Sequence, residues 1–277
     1  MPRWLLAVGL GATVATVAKP LLERPRPPSK ERPAEARPRD DARAPALQRV
    51  RFREADYYVV HADLRRARVQ LHWKDERGRP FGTPTALARW LERRGGRVAA
   101  VANAGIYTPE STPKGLHVER GRTVVPLNTT DSTGGNFFRP RPNGVFAVLR
   151  DGTAAIVRSD RASALLPRVA EATQSGPRLL EDGAATARFG DVRLPRTAVG
   201  VASPTDVFLV VSEDPVTLND LAALFRERLG CRDALFLDGG AVQGLAAPAE
   251  GVRIEDGPFV GFLSVLDGPA PDSALAR

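Results

Sequence analysis

Four apolar stretches of the sequence end in the same way, on a polar residue beside glycine. They are VANAG (101–105), RPNGVF (141–146), ATQSGP (172–177) and LFLDGG (235–240), and they present Asn103, Asn143, Ser175 and Asp238. Glycine permits positive φ and lets a ligand approach the backbone closely. If these strand ends lie on one rim of a sheet, the four side chains form a single binding pocket. Each motif alone also suits a tight turn, which is the structural alternative.

The glycines at these strand ends are predicted to line the same pocket: Gly105, Gly144, Gly176, Gly239 and Gly240. The first end continues into NAGIYTPESTPKGL (103–116), a loop that carries Tyr107 and Lys114. Lys114 is one of only four lysines in the chain, and its place in this loop makes it a candidate for ligand binding. A solvated loop lysine is the alternative.

The elements that must position these ends are short strands and two amphipathic helices. Strand-like runs are interspersed with helices predicted at TPTALARWLERRGG (83–96) and TLNDLAALFRERLG (217–230). In the second helix Thr217 suits the N-cap, Asp220 completes a capping box and Gly230 ends the helix. Because the elements are mixed in order, we expect an α+β fold in one domain, with a mixed or antiparallel sheet core of about ten strands and a few helices.

Two pairs of strand-like runs are predicted as hairpins. YYVVHAD (57–63) and ARVQLHW (67–73) are separated by a few charged residues. GVFAVLRDGTAAIVRS (144–159) alternates on both sides of Asp151 and Gly152, which is the clearer signal.

Three segments of different composition divide the chain. Residues 1–19 place one arginine before a long uncharged run, which is typical of a signal peptide or an uncleaved membrane anchor. Residues 20–51 are rich in proline and arginine and predict a disordered linker. Residues 52–277 are predicted to form the folded domain. This organisation predicts an exported protein, periplasmic or extracellular, with membrane association through the N-terminus as an alternative.

The net charge of +8 does not predict a nucleic-acid-binding protein. Residues 1–53 hold 12 Lys/Arg and 5 Asp/Glu, whereas the remainder holds 28 and 27, so the predicted domain is nearly neutral. The single Cys231 cannot form an internal disulfide and is interpreted as a small buried apolar residue.

Taken in order, the motifs resemble those of the phosphodiester glycosidase family. NAGIYTPESTPKGLHVERG resembles the family's Asn-Gly-rich segment and the hairpin after it, and VPLN, GNFF and RPNGVFAV resemble its next block. QSGPRLL, RTAVGVA and LFRERLGCRDALFLDGG are similar to its Ser-Gly-Pro, Arg-Thr-Ala and Leu-Asp-Gly-Gly segments. The resemblance covers roughly residues 52–267 and is strongest to compact bacterial members.

The sequence departs from the family pattern at two places. Ala104 stands where the family often has glycine. After Gly240 the chain continues Ala241-Val242-Gln243, where the family often has Gly-Ser-Ser. The second departure removes a serine near the predicted pocket and favours an alternative function, a non-catalytic module that binds carbohydrate or phosphoglycan.

The resemblance implies an exported hydrolase that cleaves the glycosidic bond of a sugar-1-phosphodiester, in envelope or extracellular glycans. Cleavage at the anomeric carbon develops oxocarbenium character, so the site needs a carboxylate and donors for the phosphate. Asp238 is the first candidate carboxylate and Glu213 the second. Arg196 is the candidate phosphate clamp, because its planar guanidinium matches phosphate oxygens. Asn103 and Asn143 are candidates for binding sugar hydroxyls or phosphate.

Structural alternatives accompany these assignments. Asp238 also suits a turn cap, Glu213 a solvated corner and Arg196 an ordinary surface arginine. A related activity, cleavage of the P–O bond by a phosphodiesterase, is a further alternative.

The pattern requires no cofactor. His61 and His117 alternate with apolar residues and are interpreted as strand-face histidines, and no His or Cys pair is typical of zinc. A divalent cation such as Ca²⁺ is an alternative, since Asp and Asn side chains offer oxygen ligands. The expected partner is a glycan or sugar-phosphate substrate, with the oligomeric state undetermined.

Overall fold

The computed structural model describes residues 44–130 and 143–269. The predicted signal peptide or anchor, most of the predicted linker and the GNFF motif lie outside these ranges. Within them, no helix combines the length and the apolar character that crossing a membrane requires.

The described residues form seventeen strands in three sheets, and every pairing between the strands is antiparallel. The predicted core of about ten strands in one sheet is therefore wrong in both the number of strands and their partition. Sheet A contains, in spatial order, β1 (Leu47–Phe52), β2 (Ala55–Asp63), β13 (Asp206–Ser212), β12 (Arg196–Ser203), β14 (Asp233–Gly239), β10 (Arg178–Glu181) and β11 (Ala184–Ala185).

The other two sheets have five strands each. Sheet B contains β16 (Val252–Asp256), β15 (Gln243–Ala247), β4 (Arg97–Asn103), β17 (Phe262–Asp267) and β3 (Ala67–His72). Sheet C contains β6 (Arg122–Val125), β5 (His117–Glu119), β9 (Val169–Ser175), β7 (Gly144–Leu149) and β8 (Ala154–Arg158).

One large hydrophobic cluster joins the three sheets. It includes Val199 and Leu237 of sheet A, Ala100 and Val265 of sheet B, and Phe146 of sheet C, all nearly fully buried. Because all three sheets bury side chains in this cluster, they fold as parts of one core.

Two helices cover the outer faces of the sheets. α1 (Pro84–Glu92) packs on β4, and its N-cap Thr83 accepts a hydrogen bond from Ala86 N. α2 (Leu218–Ala223) begins with the predicted capping box, continues as a π-helical turn over Leu224–Arg228 and is followed by Gly230 at φ 67°. Both predicted helices are confirmed.

A second hydrophobic cluster lies beneath α2 and contains Cys231, whose thiol pKa is raised by burial. The interpretation of Cys231 as a buried residue is confirmed. Its neighbour Gly200 has no room for a larger residue, since a Cβ there would lie 2.5 Å from the Phe225 ring.

The hairpin predicted at 144–159 is present as β7 and β8, whereas the hairpin predicted at 57–73 is not. β2 enters sheet A and β3 enters sheet B. The connection between them is fixed to sheet A, because Leu64 N donates to Thr205 O over 2.8 Å. The chain then enters sheet B at Ala67.

β1 begins at Leu47, inside the segment predicted as a disordered linker and before the predicted domain start at residue 52. Arg49 and Arg51 of this strand both form ion pairs with Asp56. Because Asp56 forms ion pairs with both arginines, the arginine-rich β1 can pair with β2 as the edge strand of sheet A. The folded part of the chain therefore begins nearer the N-terminus than residue 52.

Glu171 of β9 is a buried carboxyl at the contact between sheets B and C. Its oxygens accept hydrogen bonds from Leu71 N and Arg120 N, both over 3.0 Å. Burial raises its pKa to about 8, against the opposing effect of these two N–H donors. Nearby, burial lowers the pKa of His72 to about 4, so His72 is neutral at pH 7.

We expect the free energy of unfolding to fall as the pH rises from 6.5 to 8. The unfolded chain has lost the Glu171 proton by pH 6.5 while the folded protein retains it, so stability decreases with a limiting slope of about 1.4 kcal/mol per pH unit for this group. His72 contributes in the opposite direction, mostly below about pH 6.5, where the unfolded imidazole binds a proton that the folded one does not. Urea unfolding of Glu171→Gln is therefore expected to show a shallower pH dependence than the unmodified protein.

A matched control is Glu255→Gln, because the pKa of Glu255 is low: hydrogen bonds to Thr85 and Thr83 outweigh its partial burial. This variant should retain the original slope. Equal slopes for all three proteins would mean that Glu171 is ionised throughout the range.

Candidate functional site where three sheets meet

Asn103 ends β4 in a fully enclosed position, with 2% of its surface exposed. Its Oδ1 accepts hydrogen bonds from Thr197 Oγ1 at 2.8 Å and from Gly244 N at 3.0 Å. Its Nδ2 donates to Val242 O at 3.5 Å. The amide thus joins the end of sheet B to β12 of sheet A. All three of these hydrogen bonds are made to other protein groups, so they hold the structure of the site together.

Asp238 is aimed by a β-bulge in β14. Thr197 of β12 lies opposite Asp238, whereas the next residue, Ala198, lies opposite Phe236, so Leu237 is the extra residue. A bulge changes the face on which the following side chains emerge. It brings Asp238 opposite Thr197, and directly opposed residues of an antiparallel pair share a face of the sheet. Asp238 therefore emerges on the side where Thr197 meets Asn103.

Ser175 holds this bulge from the end of β9. Its side chain is fully buried, and its Oγ donates to Leu237 O over 2.7 Å. In sheet C, Ser175 is paired with Gly144, which directly follows Asn143. The four strand ends singled out in the sequence therefore meet at one junction of sheets A, B and C, although Ser175 acts on the backbone there.

The electrostatics of Asp238 differ from those of an ordinary surface carboxylate. Burial raises its pKa to about 7, and the hydrogen bond from Gly239 N, 2.8 Å from Oδ1, works in the opposite direction. Tyr107 lies within range of this charge: its pKa is raised by burial and then by Asp238. A half-buried carboxyl that titrates near neutrality is typical of a catalytic acid or base. The sequence pattern places Tyr107 in the loop, and only its interaction with Asp238 assigns it to the site.

Around the site, several glycines lie so close to neighbouring elements that a side chain would not fit. Gly105 has φ +80°, and a Cβ on it would lie 2.8 Å from Thr173 Oγ1 of sheet C. A Cβ on Gly239 would lie 2.3 Å from Pro195 O. These two glycines are therefore required by packing between elements. Gly144 is crowded in the same way by the Arg178 side chain, and Gly176 precedes Pro177 in a cis peptide bond.

The loop that carries Tyr107 and Lys114 is anchored at its base. Lys114 N donates to Ile106 O over 2.9 Å, and Asn128 Nδ2 donates to Lys114 O over 3.2 Å. The buried Gln174 accepts hydrogen bonds from Leu116 N and Asn128 N, both 3.0 Å long, on its Oε1. Gln174 stands inside the quoted ATQSGP motif, and only its burial reveals this role.

Arg196 lies next to Thr197 in β12, and its guanidinium is on the other face of the strand. The guanidinium carbon is 5.3 Å from the centre of the Phe236 ring, in the cluster beneath α2. Its Nη2 donates to Val192 O at 3.2 Å and its Nε to Val216 O at 3.4 Å. Burial lowers its pKa. The structure therefore places the predicted phosphate clamp against backbone carbonyls, away from the face of Asp238.

Glu213 follows β13, and β12 separates β13 from the strand that carries Asp238. At about 4.8 Å per strand, the two backbones are about 10 Å apart. Glu213 Oε2 accepts a 2.6 Å hydrogen bond from Arg49 Nε, and Glu213 also acts on the Tyr58 hydroxyl, whose pKa is raised by burial and by this carboxylate. The second candidate carboxylate is thus already paired at the edge of sheet A.

The histidines occupy strand faces, as the alternation indicated. His61 contacts Asp206 over 2.8 Å, and His117 contacts Glu119 over 2.8 Å in a buried pair. Among residues 44–130 and 143–269, no group of three His, Cys, Asp or Glu side chains is arranged to hold a metal ion.

A model of the family described as phosphodiester glycosidase matches residues 95–261, more than half of the chain. The uncharacterized protein YigE of Escherichia coli K12 is 32% identical over 202 residues, which are 72% of this chain and 77% of YigE.

Two solved structures share the fold. The catalytic domain of zebrafish N-acetylglucosamine-1-phosphodiester alpha-N-acetylglucosaminidase, auto-inhibited by its pro-peptide, has a TM-score of 0.54 at 14% identity over 82% of each chain. A protein from Synechocystis has a TM-score of 0.51 at 15% identity, over 80% of this chain and 61% of its own.

The hydrogen bond from Ser175 to the bulge can be tested by Ser175→Ala. The change leaves the buried Leu237 carbonyl without its hydroxyl donor, so we expect a loss of about 1–3 kcal/mol in the free energy of unfolding. Because the bulge aims Asp238 into its half-buried position, its pKa should also move down toward the ordinary aspartate range. Urea unfolding and carboxyl-carbon NMR titration measure the two effects.

Ser264→Ala is the matched control, since it also removes a fully buried strand hydroxyl, the one bonded to His72 Nε2 over 2.9 Å. It should lower stability and leave the Asp238 titration in place. If Asp238 titrates identically in Ser175→Ala and the unmodified protein, the hydroxyl does not hold the carboxyl in place.

Proposed function

This chain belongs to the phosphodiester glycosidase family, and we propose that it is a hydrolase that cleaves the glycosidic bond of a sugar-1-phosphodiester. The observation that carries the proposal is Asp238: a half-buried carboxyl with a pKa of about 7, aimed by a bulge toward the junction of three sheets. The zebrafish relative bears the name of an enzyme with this bond specificity.

In the proposed reaction, the side chain of Asp238 acts in its ionised form. A water oxygen bonds to the anomeric carbon, the bond from that carbon to the phosphate oxygen breaks, and its electron pair leaves with the phosphate. The water proton passes to Asp238. Phosphate is a good leaving group, so the chemistry demands a base for water more than an acid for the leaving oxygen.

The polar side of the site is assigned to the 103–116 loop. Tyr107 shares the electrostatic environment of Asp238, and its hydroxyl can donate to a substrate oxygen. Lys114 is the candidate cation for the phosphate, and Asn143 the candidate amide for sugar or phosphate oxygens. Arg196 takes a different role in this proposal, since its guanidinium supports the backbone at Val192 and Val216.

The cellular setting is also part of the proposal. The composition of residues 1–19 supports export, and a periplasmic or extracellular enzyme would meet sugar phosphodiesters of envelope or extracellular glycans. N-terminal membrane association is retained in this proposal as the alternative to a cleaved signal.

Replacement of Asp238 tests the catalytic assignment. We expect Asp238→Asn to lower kcat/KM for the methyl diester of N-acetylglucosamine 1-phosphate by about 10²–10⁴-fold, the usual contribution of a positioned base. In the unmodified protein kcat/KM should rise with pH and level off above about 7, because only the ionised carboxyl accepts the water proton. Asp206→Asn, a partly exposed aspartate paired with His61, is the control and should keep full activity. A rate that falls through pH 7 would instead make Asp238 an acid.

Further measurements separate the alternatives. Hydrolysis in oxygen-18 water places the label in the sugar for glycosidic cleavage and in the phosphate for P–O cleavage. Glycan binding without product, across a panel of sugars, would favour the non-catalytic module suggested by the 241–243 departure. Glu213→Gln tests the second carboxylate, and a chelator tests the open possibility of Ca²⁺.

A further inference from the structure

Val192 and Leu194 expose apolar side chains beside the candidate site. Their exposed fractions are 64% and 37%, and no other large apolar residue of the described ranges is exposed. Arg193, between them, extends toward Asp220, with 3.6 Å between Nη2 and Oδ2. The two exposed apolar side chains are separated by this one ion-paired residue and are treated together as an apolar pair.

The backbone beneath this pair is firmly held. Leu194 and Val216 exchange two backbone hydrogen bonds, 3.1 and 2.9 Å long. The buried Arg196 guanidinium donates to Val192 O over 3.2 Å. A buried guanidinium bound to backbone carbonyls fixes the loop in the shape that presents the apolar pair, so the exposure is a property of an ordered segment.

The pair adjoins the turn that follows Asp238. Leu194 Cδ1 lies 3.6 Å from the position that a Cβ on Gly240 would occupy, and Gly240 N donates to Pro195 O over 2.8 Å. Gly240 is two residues beyond Asp238, which puts the two Cα atoms within about 7 Å of each other. The apolar pair thus lies around the Gly239–Gly240 turn from the Asp238 carboxyl, next to the Arg196 guanidinium, and a long substrate chain that passes over this turn reaches Leu194 and Val192.

We propose that Val192 and Leu194 determine specificity by binding an apolar alcohol portion of the substrate, on the far side of the phosphate from the sugar. This inference rests on the proposed function. In a sugar-1-phosphodiester the sugar is polar and the phosphate is charged, so only the esterified alcohol can be apolar. The apolar pair offers no hydrogen bonds to sugar hydroxyls, and it gains from covering an alkyl or isoprenoid chain. The substrate class is then a sugar phosphodiester of a lipid-like alcohol.

A second protein molecule is the competing occupant of this surface. Stable protein interfaces bury about 1,200 Å² or more in total, and two side chains supply a small part of that area. The size of the patch therefore fits the chain of a small ligand better than a protein partner.

The experiment compares the octyl and methyl diesters of N-acetylglucosamine 1-phosphate. We expect the unmodified protein to favour the octyl diester in kcat/KM. In the double variant Val192→Ser with Leu194→Ser, the ratio of octyl to methyl should fall about tenfold or more, since each buried methylene contributes about fourfold. Val252→Ser, on edge strand β16 of sheet B, is the matched control and should keep the original ratio.

Failure of this inference and failure of the proposed function give different results. Hydrolysis of both diesters with the same ratio in the unmodified and double-variant proteins overturns the inference alone. If neither diester is hydrolysed, the proposed function fails, and calorimetry with octyl phosphate decides the inference. Tighter binding to the unmodified protein than to the double variant supports an apolar ligand site, and equal binding overturns it. A change of oligomeric state in the double variant would assign the pair to a protein interface.

Discussion

The buried amide of Asn103 links two of the three sheets at the site. Sheets A and B share no backbone ladder, and the Asn103 oxygen connects them by accepting from Thr197 of β12 and from Gly244 in β15. In a buried junction each of these donors would be costly to leave unpaired, at about 1–3 kcal/mol. The position of Asp238 follows from this connection, because Thr197 is both the partner of Asn103 and the residue opposite Asp238. A third sheet then secures the arrangement through Ser175.

The two candidate carboxylates predicted from the sequence, Asp238 and Glu213, have different surroundings. Asp238 is half-buried beside Gly239, and loss of solvent raises its pKa to about 7. Glu213 forms an ion pair with Arg49 of the edge strand β1. Two carboxyl groups with different surroundings are suited to different tasks, and Asp238 is the one that lies at the junction of the three sheets. The surroundings, rather than the residue type, make the distinction.

Local signals in the sequence predicted local structure well. Thr217 and Asp220 marked the start of α2, and the Asp151–Gly152 turn marked the β7–β8 hairpin, because caps and turns depend on neighbouring residues. β15 was not predicted, because most of its residues, QGLAA, are small and have little strand preference. The partition into three sheets was also missed, as strand order depends on contacts between residues far apart in the chain.

The same limit applied to the site. Polar residues beside glycine correctly indicated that four strand ends meet, because that pattern reflects close backbone approach. The face taken by Arg196 could not be predicted, because the bulge that separates it from Asp238 is a property of strand pairing and leaves no local motif.

The place of β17 has a consequence for how the chain acquires its structure. This last strand of the described fold lies in the interior of sheet B, between β4 and β3, and its partners come from residues 67–103. Pairings of such large sequence separation slow folding, because the entropy of a long loop must be lost before contacts compensate for it. During synthesis, sheet B cannot close until Phe262–Asp267 has emerged. We therefore expect the core of the nascent chain to stay incomplete until residue 267 has been synthesised, with the edge of β4 that pairs with β17 lacking its partner until then.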